Sequence, residues 1–233
     1  MDSPRFSNDS LRFLRALKRN NRREWFAAHR DDYETYVRQP MTAVVAQLAD
    51  DLRAFAPEIV ADPKTSMYRI YRDIRFSENK APYKTHVAAS FPTRGLQKHE
   101  GAGLYFHVAP DELWIGGGMY APPTAQLHEV REHIATNLRR LRTLIESPTF
   151  RREIGTLEGE RLLRVPRGFP KDHPAAEYLR LRQYLAGREL PAAFAASPKF
   201  YGTLLSTFKR LAPLMRFLNE PLVRNAKARR TLF

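Results

Sequence analysis

Cysteine is absent from all 233 residues, which removes disulfides, thiol nucleophiles and thiolate metal sites together. Also missing is any apolar run near the ~18 residues that a membrane-spanning helix needs. The opening Met1-Asp-Ser-Pro-Arg5 lacks the basic-then-apolar layout of a secretory signal. These absences set the expectation of a cytoplasmic protein with no membrane partner. Acids are scarce beside bases: 25 Asp and Glu stand against 39 Lys and Arg, a formal charge of +14. Such an excess attracts nucleic acid, anionic surfaces and small polyanions. The dominance of arginine and alanine fits a GC-rich coding bias, which exchanges Lys for Arg but does not create a surplus of base over acid. A hydrophobic fraction of 43% and a charged fraction of 27% are ordinary globular values.

Helical periodicity opens the chain. A helix after Ser7-Asn-Asp9 carries Leu11, Leu14 and Leu17 on one face. Asn20-Asn21 breaks it, and Asn21 with Glu24 has the spacing of a capping box. A second helix spaces Trp25, His29, Tyr33 and Tyr36, and a third begins after Pro40 with Met41, Val44, Val45, Leu48, Leu52 and Phe55 inward. From Lys64 the period changes to two. Ser66 to Phe76 reads as a strand with Tyr68, Ile70, Arg72, Ile74 and Phe76 on one face, and Arg69, Tyr71, Asp73 and Arg75 on the other. Further strands are expected at Thr85 to Phe91, Leu104 to Val108 and Leu113 to Ile115, the last two as a hairpin around Ala109-Pro-Asp-Glu112. Helical spacing returns with Leu127, Val130, Ile134, Leu138, Leu141 and Ile145 behind Thr124. Ser147-Pro148, Asp172-His-Pro174 and Ser197-Pro198 read as helix starts. The expectation is one α+β domain over residues 1–233, helical at 1–60, sheet at 64–120 and helical at 124–233. Its antiparallel or mixed sheet has about four or more strands packed with N-terminal and C-terminal helices.

The chemistry concentrates in Met67-Tyr-Arg-Ile-Tyr-Arg-Asp-Ile-Arg-Phe-Ser-Glu-Asn-Lys-Ala-Pro-Tyr-Lys84. Here Arg69, Arg72, Arg75, Lys80 and Lys84 alternate with Tyr68, Tyr71, Phe76 and Tyr83 around the single acid Asp73. Arginine forks match phosphate and carboxylate with two parallel charged hydrogen bonds. With Tyr105, these residues point to a phosphate-bearing ligand, nucleic acid or nucleotide-like. Asp73, His86 and His107 are the candidate bases if a reaction follows. The competing reading is that Asp73 neutralises Arg69 or Arg75 in a structural ion pair. Ser77-Glu-Asn-Lys80 fits the S-x-x-K pattern of serine acyl enzymes, but Pro82 argues against the helix that chemistry needs. Ser77 is therefore a polar turn residue near the ligand. Gly116-Gly-Gly118 follows a strand; Gly117 and Gly118 could build an amide nest for an anion, or a bulge that ends the strand. His128-Glu-Val-Arg-Glu-His133 has its histidines one residue out of step for a zinc helix. No metal site and no cofactor fingerprint are expected. Leu162-Leu-Arg-Val-Pro-Arg-Gly168 is a second basic loop, either a solvated turn or a source of Arg164 and Arg167 for the same anion.

Asn20-Asn21 with Trp25-Phe26, Arg69-Ile-Tyr-Arg-Asp-Ile-Arg-Phe-Ser77, Lys80-Ala-Pro-Tyr-Lys84, Gly116-Gly-Gly118 with Pro122, Leu163-Arg-Val-Pro-Arg-Gly168 and Pro213-Leu214 together resemble one family. It is the set of conserved hypothetical proteins catalogued as domain of unknown function 2461, found in bacteria and fungi. The resemblance covers nearly the whole chain and implies a single-domain protein; it implies no activity.

Overall fold

Capping and apolar spacing build the first helix as its sequence reads. The computed structural model describes residues 3–96 and 99–230, with side chains described as far as Arg224. Helix α1 (Asn8–Arg19) starts where the Ser7 hydroxyl accepts from the Ser10 backbone N–H, and Ser10 returns the bond to the Ser7 backbone. Leu11, Leu14 and Leu17 are buried along its inner face. Two short helices follow, α2 (Arg23–Ala28) and α3 (Arg30–Tyr33), then a π-turn over Glu34–Arg38 and helix α4 (Gln39–Asp51). The second and third expected helices therefore run almost continuously. Pro40 lies in the first turn of α4 instead of separating two elements. Proline has no N–H and crowds the preceding turn, and the widened π-turn just upstream relieves both problems. Asn21 does not cap α2, whose N-terminus has no side-chain hydrogen bond. Its amide is used elsewhere, as described below.

The sheet is a meander in the order β1-β2-β3-β4, antiparallel throughout. Its strands are β1 (Val87–Pro92), β2 (Gly103–Val108), β3 (Glu112–Met119) and β4 (Tyr184–Pro191). Strand β4 lies in the half of the chain that reads as helical; its Gly187 and Pro191 and its charges hide the alternation. The expected strand from Ser66 to Phe76 does not form. Residues 66–68 only edge β1, with the Tyr68 N–H donating to Ala88 O at 2.9 Å and the Ser90 N–H to Ser66 O at 3.0 Å. Beyond them the chain turns to its own residues 82–84, through Lys84 N–H to Ile70 O at 2.8 Å and Arg72 N–H to Pro82 O at 2.9 Å. The in-and-out alternation survives without the ladder: Tyr68, Ile70, Arg72 and Ile74 are more buried than Arg69, Tyr71, Asp73 and Arg75.

Between β3 and β4 run α5 (Thr124–Thr136), α6 (Leu138–Ile145), α7 (Pro148–Glu153) and α8 (Ala176–Leu179). The single helix expected behind Thr124 is split at Asn137, whose side chain caps the His133 carbonyl at 2.9 Å. Ser147 caps α7 as expected. Asp172 caps nothing; α8 begins without a side-chain cap. The chain then enters α9 (Phe200–Arg230). This helix lies across one face of the sheet, where Phe208 meets Phe91 edge-on at 5.6 Å and Phe200 meets Phe106 at 6.3 Å. Burying each such ring contributes about 2–3 kcal/mol. Asn219 of α9 is 2% exposed. Its amide accepts from the Ala102 N–H at 2.7 Å and donates to Ala102 O at 2.8 Å and to Thr93 Oγ1 at 2.7 Å. One helical side chain thus satisfies the backbone that enters β2. The result is a single α+β domain with its core on one side of the sheet. No helix among the described residues is long and apolar enough to cross a membrane.

Candidate functional site

Alternate residues of β2 and β3 point away from α9, and these positions are only half-buried while their neighbours are fully buried. Strand pairing sets Ser90 beside Tyr105, and His107 beside Trp114. The open face therefore carries a connected group of rings. Tyr68 and Tyr105 have centroids 6.3 Å apart, Tyr105 and Trp114 5.7 Å, Tyr105 and His107 5.6 Å, and His107 and His86 5.4 Å. The His107 and Trp114 planes are within 15° of parallel. At one end the Lys84 ammonium sits 5.0 Å above the Tyr68 ring and donates to Arg69 O at 3.0 Å.

The electrostatics are set by burial and by neighbouring cations, with Asp73 close enough to Arg69 to feel its charge. Burial pushes the Lys84 ammonium below its ordinary pKa, and the Arg69 charge pushes it the same way. Among the described residues neither Lys84 nor Arg69 forms an ion pair. His86 is lowered to about 4 by burial first, then by His107 and Lys84 against an opposing pull from Glu112. It is neutral at pH 7. Burial raises the Tyr105 phenol well above its ordinary value. Glu112 Oε1 lies 3.0 Å from His107 Nε2. Two buried polar atoms here have no hydrogen-bond partner, Ser90 Oγ and His107 Nδ1.

Of the residues singled out by sequence, Lys84, His86, Tyr105 and His107 are brought together on this face, with Arg69 at its rim. The rest of the basic stretch is held differently. Asp73 takes a bidentate bond from Arg75, at 3.0 Å from Nε and 2.8 Å from Nη2, and lies at about 2 because of those bonds. A carboxylate so engaged is a weak base. Arg72 donates to Ala81 O at 3.2 Å and Ser77 Oγ at 3.3 Å, and Ser77 donates to Asn79 O at 3.1 Å. Lys80 donates to Ile74 O at 3.1 Å. Residues 72–81 are therefore a loop closed by its own side chains, with Phe76 at its tip 95% exposed. Tyr83 stacks on Phe26 at 4.2 Å, and Tyr71 leans on the same pair. Both belong to the aromatic layer beneath α2, away from the open face. Asn21 fixes this junction: its Oδ1 accepts from the Tyr83 N–H at 3.0 Å and its Nδ2 donates to Tyr83 O at 2.9 Å.

Gly116-Gly-Gly118 is neither a loop nor a strand end, since β3 continues to Met119. A Cβ at Gly116 would lie 2.3 Å from Cη2 of Trp114, and one at its cross-strand partner Gly187 would lie 2.5 Å from Cζ2. The indole thus lies down over this pair, in space that only glycine leaves. Gly117 faces the core, where its Cβ position is 3.2 Å from Met215 Sδ. Gly118 has φ +138° and approaches Tyr184 O so closely that a Cβ would sit 1.9 Å from it. Trp114, Ser90 and Glu112 are the site residues that sequence reasoning did not gather. The signal for them was parity: extending the Tyr105 and His107 face across the hairpin reaches Glu112, Trp114 and Gly116. Among the described residues no group of three or more His, Asp or Glu is placed to hold a metal ion. The second basic loop, with Leu163 97% exposed, lies beyond the far edge of the sheet, where Glu158 bridges Leu185. Of the bases near the C-terminus, Arg224, Lys227, Arg229 and Arg230, those past Arg224 lie outside the described side chains.

A family model described as conserved hypothetical protein matches residues 9–217, which include every residue of the open face. No curated protein matches the chain.

Proposed function

We propose that this chain, which belongs to the conserved hypothetical protein family DUF2461, binds a phosphate-bearing ligand on the open face of its sheet. The observation that carries the reading is the Lys84 ammonium: it lies over the Tyr68 ring, is partly desolvated, donates to the Arg69 carbonyl within reach of the Arg69 charge, and has no ion pair among the described residues. Holding like charges together without a counter-ion costs free energy that a bound anion returns. Arg72, Arg75 and Lys80 hold the adjoining loop in shape. The ligand class is that of nucleotides and other organic phosphates, and a cytoplasmic setting goes with it.

Calorimetry with inorganic tripolyphosphate at low and moderate salt tests this. Binding is expected in the wild-type protein, with weakening of about tenfold or more in Lys84→Met or Arg69→Ala, the usual effect of removing one charged contact. No binding, or equal binding by a folded variant, would sink the reading. The second reading is an enzyme on the same ligand, favoured by His107. With its Nε2–H directed at Glu112, the buried Nδ1 carries a lone pair able to take a proton from a bound hydroxyl or water. Phosphate release from tripolyphosphate, lost in His107→Ala, is what it requires.

A further inference from the structure

The Trp114 indole leans along the sheet onto two glycines. Its benzene edge covers the Gly116–Gly187 pair, so one side of the ring is against backbone and the other belongs to the open face. Tyr105 is inclined at 54° to it, so the two rings do not stack on each other. An aromatic ring backed by backbone is a stacking platform for a planar ring. The platform and the cations are separated by successive spacings of 5.7, 6.3 and 5.0 Å, from Trp114 through Tyr105 and Tyr68 to Lys84. A ligand meeting both ends needs a ring, a spacer and a terminal anion.

We propose that the ligand is a nucleoside polyphosphate whose base stacks on Trp114 while its terminal phosphates lie between Lys84 and Arg69. This rests on the anion reading above and adds the ring. The supply of cations selects a mononucleotide over a nucleic-acid strand. A strand needs a track of free basic groups along its backbone. Here Arg72, Arg75 and Lys80 are engaged within their own loop, and of the cations in this stretch it is Lys84, over the Tyr68 ring and within reach of the Arg69 charge, that meets the ring cluster. On the same face the Ser90 hydroxyl and His107 Nδ1 are buried without a hydrogen-bond partner.

The test compares adenosine 5′-triphosphate with tripolyphosphate, which carry similar charge and differ by the nucleoside. The reporter is Trp114 fluorescence in a Trp25→Phe background, since the chain has only two tryptophans. Adenosine triphosphate is expected to bind about tenfold tighter than tripolyphosphate, the usual size of one stacking contact, and to quench Trp114. Tripolyphosphate should bind without that quench. Trp114→Leu should bring the two affinities together, and Trp114→Phe should restore part of the difference. Equal affinities with no quench in Trp25→Phe overturn the ring assignment and leave the anion reading standing. Failure of both ligands overturns the anion reading itself. Affinity for oligothymidylates that rises with length beyond three nucleotides overturns the choice of a mononucleotide.

Discussion

At the scale of single residues, the site is built from side chains whose ordinary chemistry has been displaced. His86 is the clearest case. Its pKa falls from 6.5 to about 4 in the folded protein. The unfolded chain therefore binds the extra proton between those values. Stability is full above pH 6.5 and is lost as pH falls toward 4. Urea unfolding at pH 7 and pH 4.5 should differ by about 2 kcal/mol from this group, after allowance for solvent screening. His86→Leu should remove that part of the difference; an unchanged pH dependence would contradict the assignment. Asn21 makes an equally sharp prediction. Asn21→Ala leaves the Tyr83 N–H and C=O without their partners, at a cost of about 2 kcal/mol. Because Lys84 is the next residue, the same change should also weaken tripolyphosphate binding, as read by calorimetry. Sequence reasoning placed Asn21 correctly as a break after α1 but assigned its amide to a helix end. A capping box is a local pattern, whereas the real partner lies 62 positions away.

Elements show where local signals suffice and where they do not. Helix α1 was legible because cap, stripe and break lie within a dozen residues. Helix α9 was legible at its start, but not in its length or in its continuation through Pro213 and Pro221. Tertiary packing overrides the proline signal there, since the sheet lies along one side of the helix. Asn219 is the residue that joins the two layers. Asn219→Ala should cost about 2–4 kcal/mol, because it leaves the buried Ala102 N–H without an acceptor and takes a donor from both Ala102 O and Thr93 Oγ1, which keep only their 3.4 Å bond to each other. Asn219→Asp should also destabilise, since it replaces the donating amide with a second acceptor. Chemical denaturation of both variants checks this, and near-neutral values would refute the clamp. The Ser66–Phe76 segment was misread as a strand for a physical reason. Alternating burial arises wherever an extended chain crosses a boundary between core and solvent, and it does not require a hydrogen-bonded neighbour. Strand β4 was missed for the converse reason: it is paired throughout, yet half of its outward positions are glycine or charge.

For the whole molecule, the charge of +14 is divided between internal and external uses. The loop at 72–81 consumes its cations in its own hydrogen bonds, so the densest basic stretch in the sequence is not the densest free charge. An Arg72→Ala, Lys80→Ala double variant should lose loop order, seen as faster cleavage in limited proteolysis. Its tripolyphosphate affinity should fall much less than in Lys84→Met. The reverse ranking would return the site to the loop. Sequence pattern located the region and half of the residues on the open face. It did not find Trp114: parity places that residue on the face, but only the return of β4, after α5 and the three helices beyond it, sets Gly187 beside Gly116 under the ring.

That ring has a consequence for how this surface can vary over time. Trp114, Gly116 and Gly187 occupy one shared volume, so their codons are not free to drift separately. A side chain gained at either glycine collides with the indole and also with backbone, Ala186 O at position 116 and Ile115 O at position 187. Relatives with an aromatic residue at 114 should therefore keep both glycines, and a larger residue at 116 or 187 should appear only where position 114 is small and the facing backbone has shifted. Genetic drift across the family would then record, as correlated exchanges, a contact that no single sequence displays.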